Sequence, residues 1–250
     1  MPGVEPDPPS RRRTEVGPAL LRAEGLAVGR TPFGSRNARV VAGGVELEVH
    51  AGRALAVTGP NGAGKSTLAL TLAGLLPAVG GQVLASEGLA DGAGPAPIRW
   101  RSRELLTRIG TVFQDPEHQL LASTVRGELE VGPRALGLSE TEIAERTDAL
   151  LDRLRLRRLA KANPYTLSGG EKRRLSVATV LATAPRIIVL DEPTFGQDAR
   201  TWRELVALLA ELLDEGTAVV AVTHDADFVR VLADAEFRLG HGLRPIVGAA

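Results

Sequence analysis

The sequence predicts an α/β fold: a mostly parallel sheet with helices on both faces, an antiparallel β element ahead of it and a helical insertion within it. Three observations carry this. The apolar run 53–58 ends in a glycine-rich turn that opens a helix. From about residue 171 onward helices and apolar strands alternate, the rhythm of a parallel sheet with helical crossovers. Between these regions, residues 115–166 change to helical spacing. At 250 residues and 44% hydrophobic, the chain can bury one substantial core but is short for two independent domains.

Residues 1–18 are proline-rich and carry Ser10-Arg11-Arg12-Arg13. Where an export signal needs an apolar stretch, Thr14-Glu15-Val16-Gly17-Pro18 follows, so the segment reads as a disordered tail. Residues 20–28 and 45–49 read as short strands flanking a loop with glycine and arginine, an antiparallel element laid over the larger sheet. The strand 53–58 follows, then a helix over 66–76 with Gly74 near its end. Gly88, Gly92, Gly94, Pro95 and Pro97 mark 86–103 as a loop before a short strand at 109–113. Ser139 and Glu142 form a capping box for a helix to about 155, with Ile143, Leu150, Leu151 and Leu154 on one apolar face. Helix 171–182, strand 187–190, helix 201–213, strand 218–222 and helix 226–232 complete the pattern.

Lys and Arg total 30 and balance 30 Asp and Glu, so no global basic field recruits nucleic acid or an anionic membrane surface. With no cysteine, disulfides, thiolate metal sites and cysteine nucleophiles are all excluded, which fits a cytosolic protein. The richest apolar stretch, 177–190, is broken by Pro185 and Arg186 and falls short of the roughly 18 residues of a spanning helix. Any membrane contact is therefore expected to go through a partner.

Gly59-Pro60-Asn61-Gly62-Ala63-Gly64-Lys65-Ser66-Thr67 fits G-x-x-x-x-G-K-[ST] in the strand, loop, helix order that makes a phosphate cradle, so the core reads as that of a P-loop NTPase. A chance glycine-rich turn is the plain alternative, and the flanking elements argue against it. In such a cradle backbone N–H groups wrap the phosphates, the helix N-terminus adds its dipole, Lys65 reaches the β- and γ-phosphates and Ser66 ligates Mg²⁺. The apolar strand from Ile187 ends in Asp191-Glu192, at the place where an open α/β sheet puts its ligand. Asp191 is expected to hold Mg²⁺ and Glu192 to polarise the attacking water. The plain alternative is a turn ahead of Pro193.

Leu167-Ser168-Gly169-Gly170-Glu171, about 20 residues before Asp191, resembles the signature sequence of ATP-binding-cassette (ABC) ATPases, and with the phosphate loop it is highly specific. Taken alone it is a turn in which Ser168 caps a helix. The resemblance covers about residues 20–240 and implies an ABC ATPase domain over 19–245, with a helical subdomain at about 115–170. It implies ATP hydrolysis with Mg²⁺, Gln114 in the loop that reads Mg²⁺ and water, Asp198 in the loop crossing a dimer interface, and His224 as the switch histidine. A lone histidine after a strand is more often structural; the other motifs reverse that reading. The resemblance further implies a head-to-tail dimer with a second ABC ATPase subunit. Each site would join Lys65, Ser66, Gln114, Asp191, Glu192 and His224 of one chain to Ser168 and Gly170 of the other, the capped helix pointing at the γ-phosphate.

Within that family, residues 112–119 (Val-Phe-Gln-Asp-Pro-Glu-His-Gln), Ser123-Thr124-Val125 and Thr194-Phe195-Gly196-Gln197-Asp198 look like the energy-coupling-factor type, which powers uptake of vitamins and transition-metal ions. The resemblance implies a position on the cytoplasmic face of the membrane, with a transmembrane scaffold protein seated in a groove near Gln114 and Gln119 and a separate membrane protein capturing substrate. Cobalt or nickel ions, biotin, thiamine precursors and riboflavin all remain open. One departure concerns the base: where many relatives stack an aromatic residue on adenine, Arg30 stands, leaving the contact to Arg30 or Phe33 and GTP open beside ATP. A soluble ABC ATPase of DNA repair, chromosome organisation or translation is the rival reading; the chain has neither heptads nor a second phosphate loop. A regulatory module without turnover would predict a degenerate Glu192 or His224, and both are intact.

Overall fold

The computed structural model describes residues 16–31 and 38–245. The expected tail lies outside these residues except for Val16, Gly17 and Pro18, and Phe33 lies outside them as well. The strands β1 (Ala19–Arg30) and β2 (Arg39–His50) pair antiparallel, and β3 (Ala54–Thr58) runs into the phosphate loop and α1 (Lys65–Leu72). Then β4 (Gly80–Ala85) returns to pair with β1, giving a three-stranded sheet in the order β2-β1-β4. Short helices α2 (Glu87–Ala90) and α3 (Ser102–Leu106) precede β5 (Ile109–Val112). The insertion contains α4 (Val125–Leu136) and α5 (Glu140–Arg153), after which α6 (Gly169–Leu181), β6 (Ile187–Asp191), α7 (Ala199–Asp214), β7 (Ala218–Val222), α8 (Ala226–Leu232), β8 (Ala235–Arg238) and β9 (Gly242–Pro245) follow.

The large sheet has the order β5-β6-β7-β3-β8-β9, parallel from β5 through β8 with β9 antiparallel at the edge. Its central strands are buried on both faces, which is why they read as unbroken apolar runs. Successive residues feed two cores. Ile188, Leu190, Val219 and Ala221 pack with the helices of the insertion, α6 and α7. Ile187, Val189, Val220 and Val222 pack with α1 and the antiparallel sheet. The predicted α/β architecture, with its antiparallel β element and helical region, is the observed one.

Local expectations fared unevenly. Ser139 and Glu142 do form the capping box of α5, and Ile143, Leu150, Leu151 and Leu154 are buried. The helix expected over 66–76 stops at Leu72 because Gly74, at φ +73°, closes a Schellman motif: Leu75 N–H donates to Leu70 and Gly74 N–H to Thr71. The strands expected at 20–28 and 45–49 each run twelve residues, with irregular register where Gly43 and Gly44 interrupt the apolar alternation. The loop expected at 86–103 is instead a packed unit. Trp100 is buried and donates to Gly94 O at 2.8 Å, while Arg108 caps α2 through Leu89 O and Ala90 O and lies against the Trp100 ring. A single buried tryptophan organises a segment whose glycines and prolines resemble a loop.

Gly81 sits at φ +65°, and a β-carbon there would lie 2.3 Å from the carbonyl oxygen of Gly25, whereas Gly88 on α2 faces open space. Gly81→Ala is expected to destabilise the fold by more than about 1 kcal/mol and Gly88→Ala to stabilise it by about 0.4–1 kcal/mol. Urea unfolding midpoints of the two variants measure this contrast.

Candidate nucleotide site

Buried strand β3 delivers the loop, in which Gly59, Gly62 and Gly64 all take positive φ. Glycine is required at 64: φ is +98°, and a β-carbon would meet Val41 Cγ2 at 2.6 Å. From Gly64 the chain turns directly into α1 without a side-chain cap, leaving first-turn N–H groups for an anion. Lys65 is only 7% exposed, and its ammonium donates to Gly59 O at 2.9 Å and Pro60 O at 3.0 Å. A cleft of about 700 Å³ opens beside Gly59, Pro60 and Asn61, with Thr223 and His224 also in its lining.

The carboxylates arrive from β6. Asp191 accepts a hydrogen bond from Ser66, and its Oδ1 is buried with no hydrogen-bond partner among the described residues. Burial pushes its pKa up, while the Ser66 hydrogen bond and the charges of Lys65 and Arg173 pull it down. The next residue, Glu192, has φ +48°, a left-handed conformation that side chains other than glycine adopt at a cost of about 1–3 kcal/mol. Its Oε1 lies 3.4 Å from His224 Nε2, and its Oε2 faces the backbone N–H of His224 at 3.4 Å. Burial raises the pKa of Glu192, partly countered by His224, which moves it in the direction a general base at neutral pH needs.

Among the described residues no three His, Cys, Asp or Glu side chains gather to hold a metal unaided. An orphaned Asp191 oxygen beside the Ser66 hydroxyl fits a different arrangement, in which a hard cation takes two protein oxygens and completes its shell from phosphates and water.

The structure thus gathers Lys65, Ser66, Asp191, Glu192 and His224. Gln114 follows β5 on an exposed loop and is linked to this group through its carbonyl, which accepts from Arg173. Ser168 forms a capping box with Glu171: Ser168 N–H and Oγ–H donate to Glu171 Oε2 at 2.8 and 2.7 Å, and Glu171 N–H faces Ser168 Oγ at 3.4 Å. Ser168 and Gly169 are exposed, and none of the described contacts joins Ser168, Gly169 or Gly170 to the phosphate loop of the same chain. Asp198 caps α7 through the N–H groups of Arg200 and Thr201. Arg30 is the exposed last residue of β1, paired in register with Arg39.

Two residues escaped the sequence reading. Gln119, expected to line a partner groove, instead turns its amide inward, accepting from Phe113 N–H at 3.2 Å and donating to Thr111 O at 2.9 Å. It staples the loop that carries Gln114. Arg173, the middle of three consecutive basic residues, is given no role by the sequence; it is 4% exposed and donates to Phe113, Gln114 and Glu192 carbonyls. No periodicity signals a buried arginine.

The sequence profile of the family described as ABC transporter matches residues 42–195. The energy-coupling factor transporter ATP-binding protein EcfA of Methanothermobacter thermautotrophicus is 39% identical over 80% of this chain; the chain spans 62% of that protein's length. EcfA of Methanococcus maripaludis is 37% identical over 81% of this chain and 71% of its own. YkoD of Bacillus subtilis, named as a candidate HMP/thiamine import ATP-binding protein, is 37% identical over 90% of this chain, which spans 38% of it. Among solved structures, CbiO1 from Clostridium perfringens, described as part of the ABC transporter complex cbiONQ, superposes with TM-score 0.72 at 31% identity, covering 88% of this chain and 84% of its own. A dimeric post-hydrolysis state of the ATP-binding cassette MJ0796 bound to ADP and Pi gives 0.79 at 25% identity, over 92% of this chain and all of the other.

The Ser168 hydrogen bonds hold the Glu171 carboxylate below its ordinary value of 4.5. A depressed folded-state pKa means that the unfolded chain takes up the proton first. The contribution is whole above 4.5 and is lost as pH falls through the lower folded value. Glu171→Gln is therefore expected to lower stability at pH 7 and to differ progressively less from the parent as pH falls below 4, about the ordinary carboxylate range. Thermal unfolding of both chains across that pH range measures the convergence.

Proposed function

The chain belongs to the ABC transporter family, and from that premise we propose that it is the ATP-hydrolysing subunit of an energy-coupling-factor importer for a vitamin or transition-metal ion. The observation that carries this reading is the meeting of Lys65, Ser66, Asp191, Glu192 and His224 at the end of one parallel sheet. The loop amides and Lys65 would hold the phosphates of ATP. Ser66 and Asp191 would hold Mg²⁺, which would neutralise charge developing on the phosphates during hydrolysis. Glu192 would take the proton of the attacking water, with His224 fixing its carboxylate and Gln114 orienting the water. Ser168, Gly169 and Gly170 at the start of α6, the first two exposed, would cap the γ-phosphate bound by a second ABC ATPase subunit.

No helix among the described residues is long and apolar enough to cross a membrane, so the proposed transport step belongs to a transmembrane scaffold and a substrate-capture protein on whose cytoplasmic side this chain would sit. The names of the two EcfA proteins and of CbiO1 support that arrangement. Arg30, whose guanidinium plane can stack on adenine, would contact the base, with Phe33 as the alternative.

Glu192→Gln should retain ATP binding, lose about 10²- to 10⁴-fold in turnover and accumulate a closed dimer with ATP. Steady-state hydrolysis and sedimentation test it together, and normal turnover removes Glu192 from the mechanism. Because Gln119 faces inward, the partner surface is better probed at Leu121, 79% exposed beside the Gln114 loop. Leu121→Asp is expected to leave basal ATPase intact and abolish coupled uptake in vesicles; equal loss of both would refute that surface.

A further inference from the structure

The helix that begins with Ser168, Gly169 and Gly170 continues with Lys172-Arg173-Arg174. Three consecutive cations cannot share one face of a helix whose residues turn by about 100° each, and here the middle one points inward. Burying a guanidinium costs several kcal/mol unless its donors are paired, so the position of its partners matters. Arg173 Nη1 donates to Phe113 O at 2.8 Å, and Nη2 donates to Gln114 O at 2.7 Å and Glu192 O at 3.3 Å. All three acceptors are backbone carbonyls, and they belong to two different segments of the nucleotide site.

Neighbouring contacts reinforce the link. Lys172 Nζ pairs with Glu117 at 2.5 Å, gripping the Gln114 segment a few residues further on. Gln119 fixes the same segment to β5 from within. Glu192, whose left-handed backbone must be held in place, is anchored by its N–H to Val222 O and by its carbonyl to Arg173. The start of α6 is thereby joined by side chains to both Gln114 and Glu192.

Resting on the ABC ATPase reading, we infer that Arg173 is a positioning residue that couples the two nucleotide sites of a dimer. In that assembly the start of α6 caps the nucleotide held by the partner, while Gln114 and Glu192 serve the nucleotide held by the chain itself. A displacement of α6 on closure is passed through the planar guanidinium to both carbonyl segments, so that Glu192 reaches its working position when the opposite site is occupied. Lysine cannot substitute, because a single ammonium lacks the rigid fork that spans three carbonyls.

The test uses the full chain with Arg173→Met and Arg173→Lys. Both variants are expected to bind ATP as the parent does, since Lys65 and its loop are untouched. In both, kcat should fall about 10- to 100-fold, the scale of a displaced catalytic group, with a Hill coefficient for ATP dropping to about 1. Hydrogen exchange supplies a readout independent of turnover: ATP should protect both the 109–120 segment and the 168–172 segment in the parent, and only the former in Arg173→Met. Parental kcat and cooperativity in Arg173→Met, rescue by Arg173→Lys, or unchanged protection of 168–172 in the variant would each overturn the coupling role. A variant that merely unfolds at lower temperature, with kcat and Hill coefficient intact below its midpoint, would assign Arg173 to stability alone. Failure of the parent chain to bind ATP would overturn the ABC ATPase reading beneath it, whereas ATP binding without those exchange patterns would overturn only this inference.

Discussion

The ammonium of Lys65 is almost wholly buried and is held by the Gly59 and Pro60 carbonyl oxygens of its own loop. A buried cation of this kind needs compensating charge nearby, and the end of β6 provides it in Asp191 and Glu192. Those carboxylates are themselves raised in pKa by burial, and the charge of Arg173 also acts on both. Two cations and two carboxylates therefore define one another's positions at the carboxyl end of the parallel sheet. The strands beneath are buried on both faces, so the sheet offers a stiff platform on which this charge balance can be kept.

The Ser168 segment lies outside this charge cluster. Its capping box already satisfies the start of α6, and Ser168 and Gly169 remain exposed with no described contact to the phosphate loop. An exposed helix start, with the positive end of its dipole outward, is suited to an anion supplied from outside the chain. Side chains from the next turn of α6 reach inward to the Gln114 loop and the Glu192 carbonyl. One helix thus has an exposed start and, within the next turn, side chains that face inward.

Elements with strong local signals were legible in the sequence. The phosphate loop, the strand ending at Asp191, the Ser139 capping box, the Ser168 helix cap and the strand 218–222 follow from patterns of a few residues each. What stayed hidden depends on tertiary contact. Trp100 and Arg108 convert a glycine- and proline-rich stretch into packed structure, and that requires knowing what lies above α2. The β4, β8 and β9 strands are four to six residues long, too short for alternation to give more than a weak signal. The inward turns of Gln119 and Arg173 are invisible for a further reason: both are polar residues in a polar neighbourhood, and only their acceptors identify them.

The claim at the centre of this account is that the chain itself holds Mg²⁺-ATP in the cradle built around Lys65. Isothermal titration of the chain with ATP, repeated with and without Mg²⁺ and with Lys65→Ala, tests it most directly. The account predicts a single nucleotide per chain, tightened by Mg²⁺ and lost in the variant. ATP binding that persists unchanged in Lys65→Ala, or no binding by the parent chain, would contradict it.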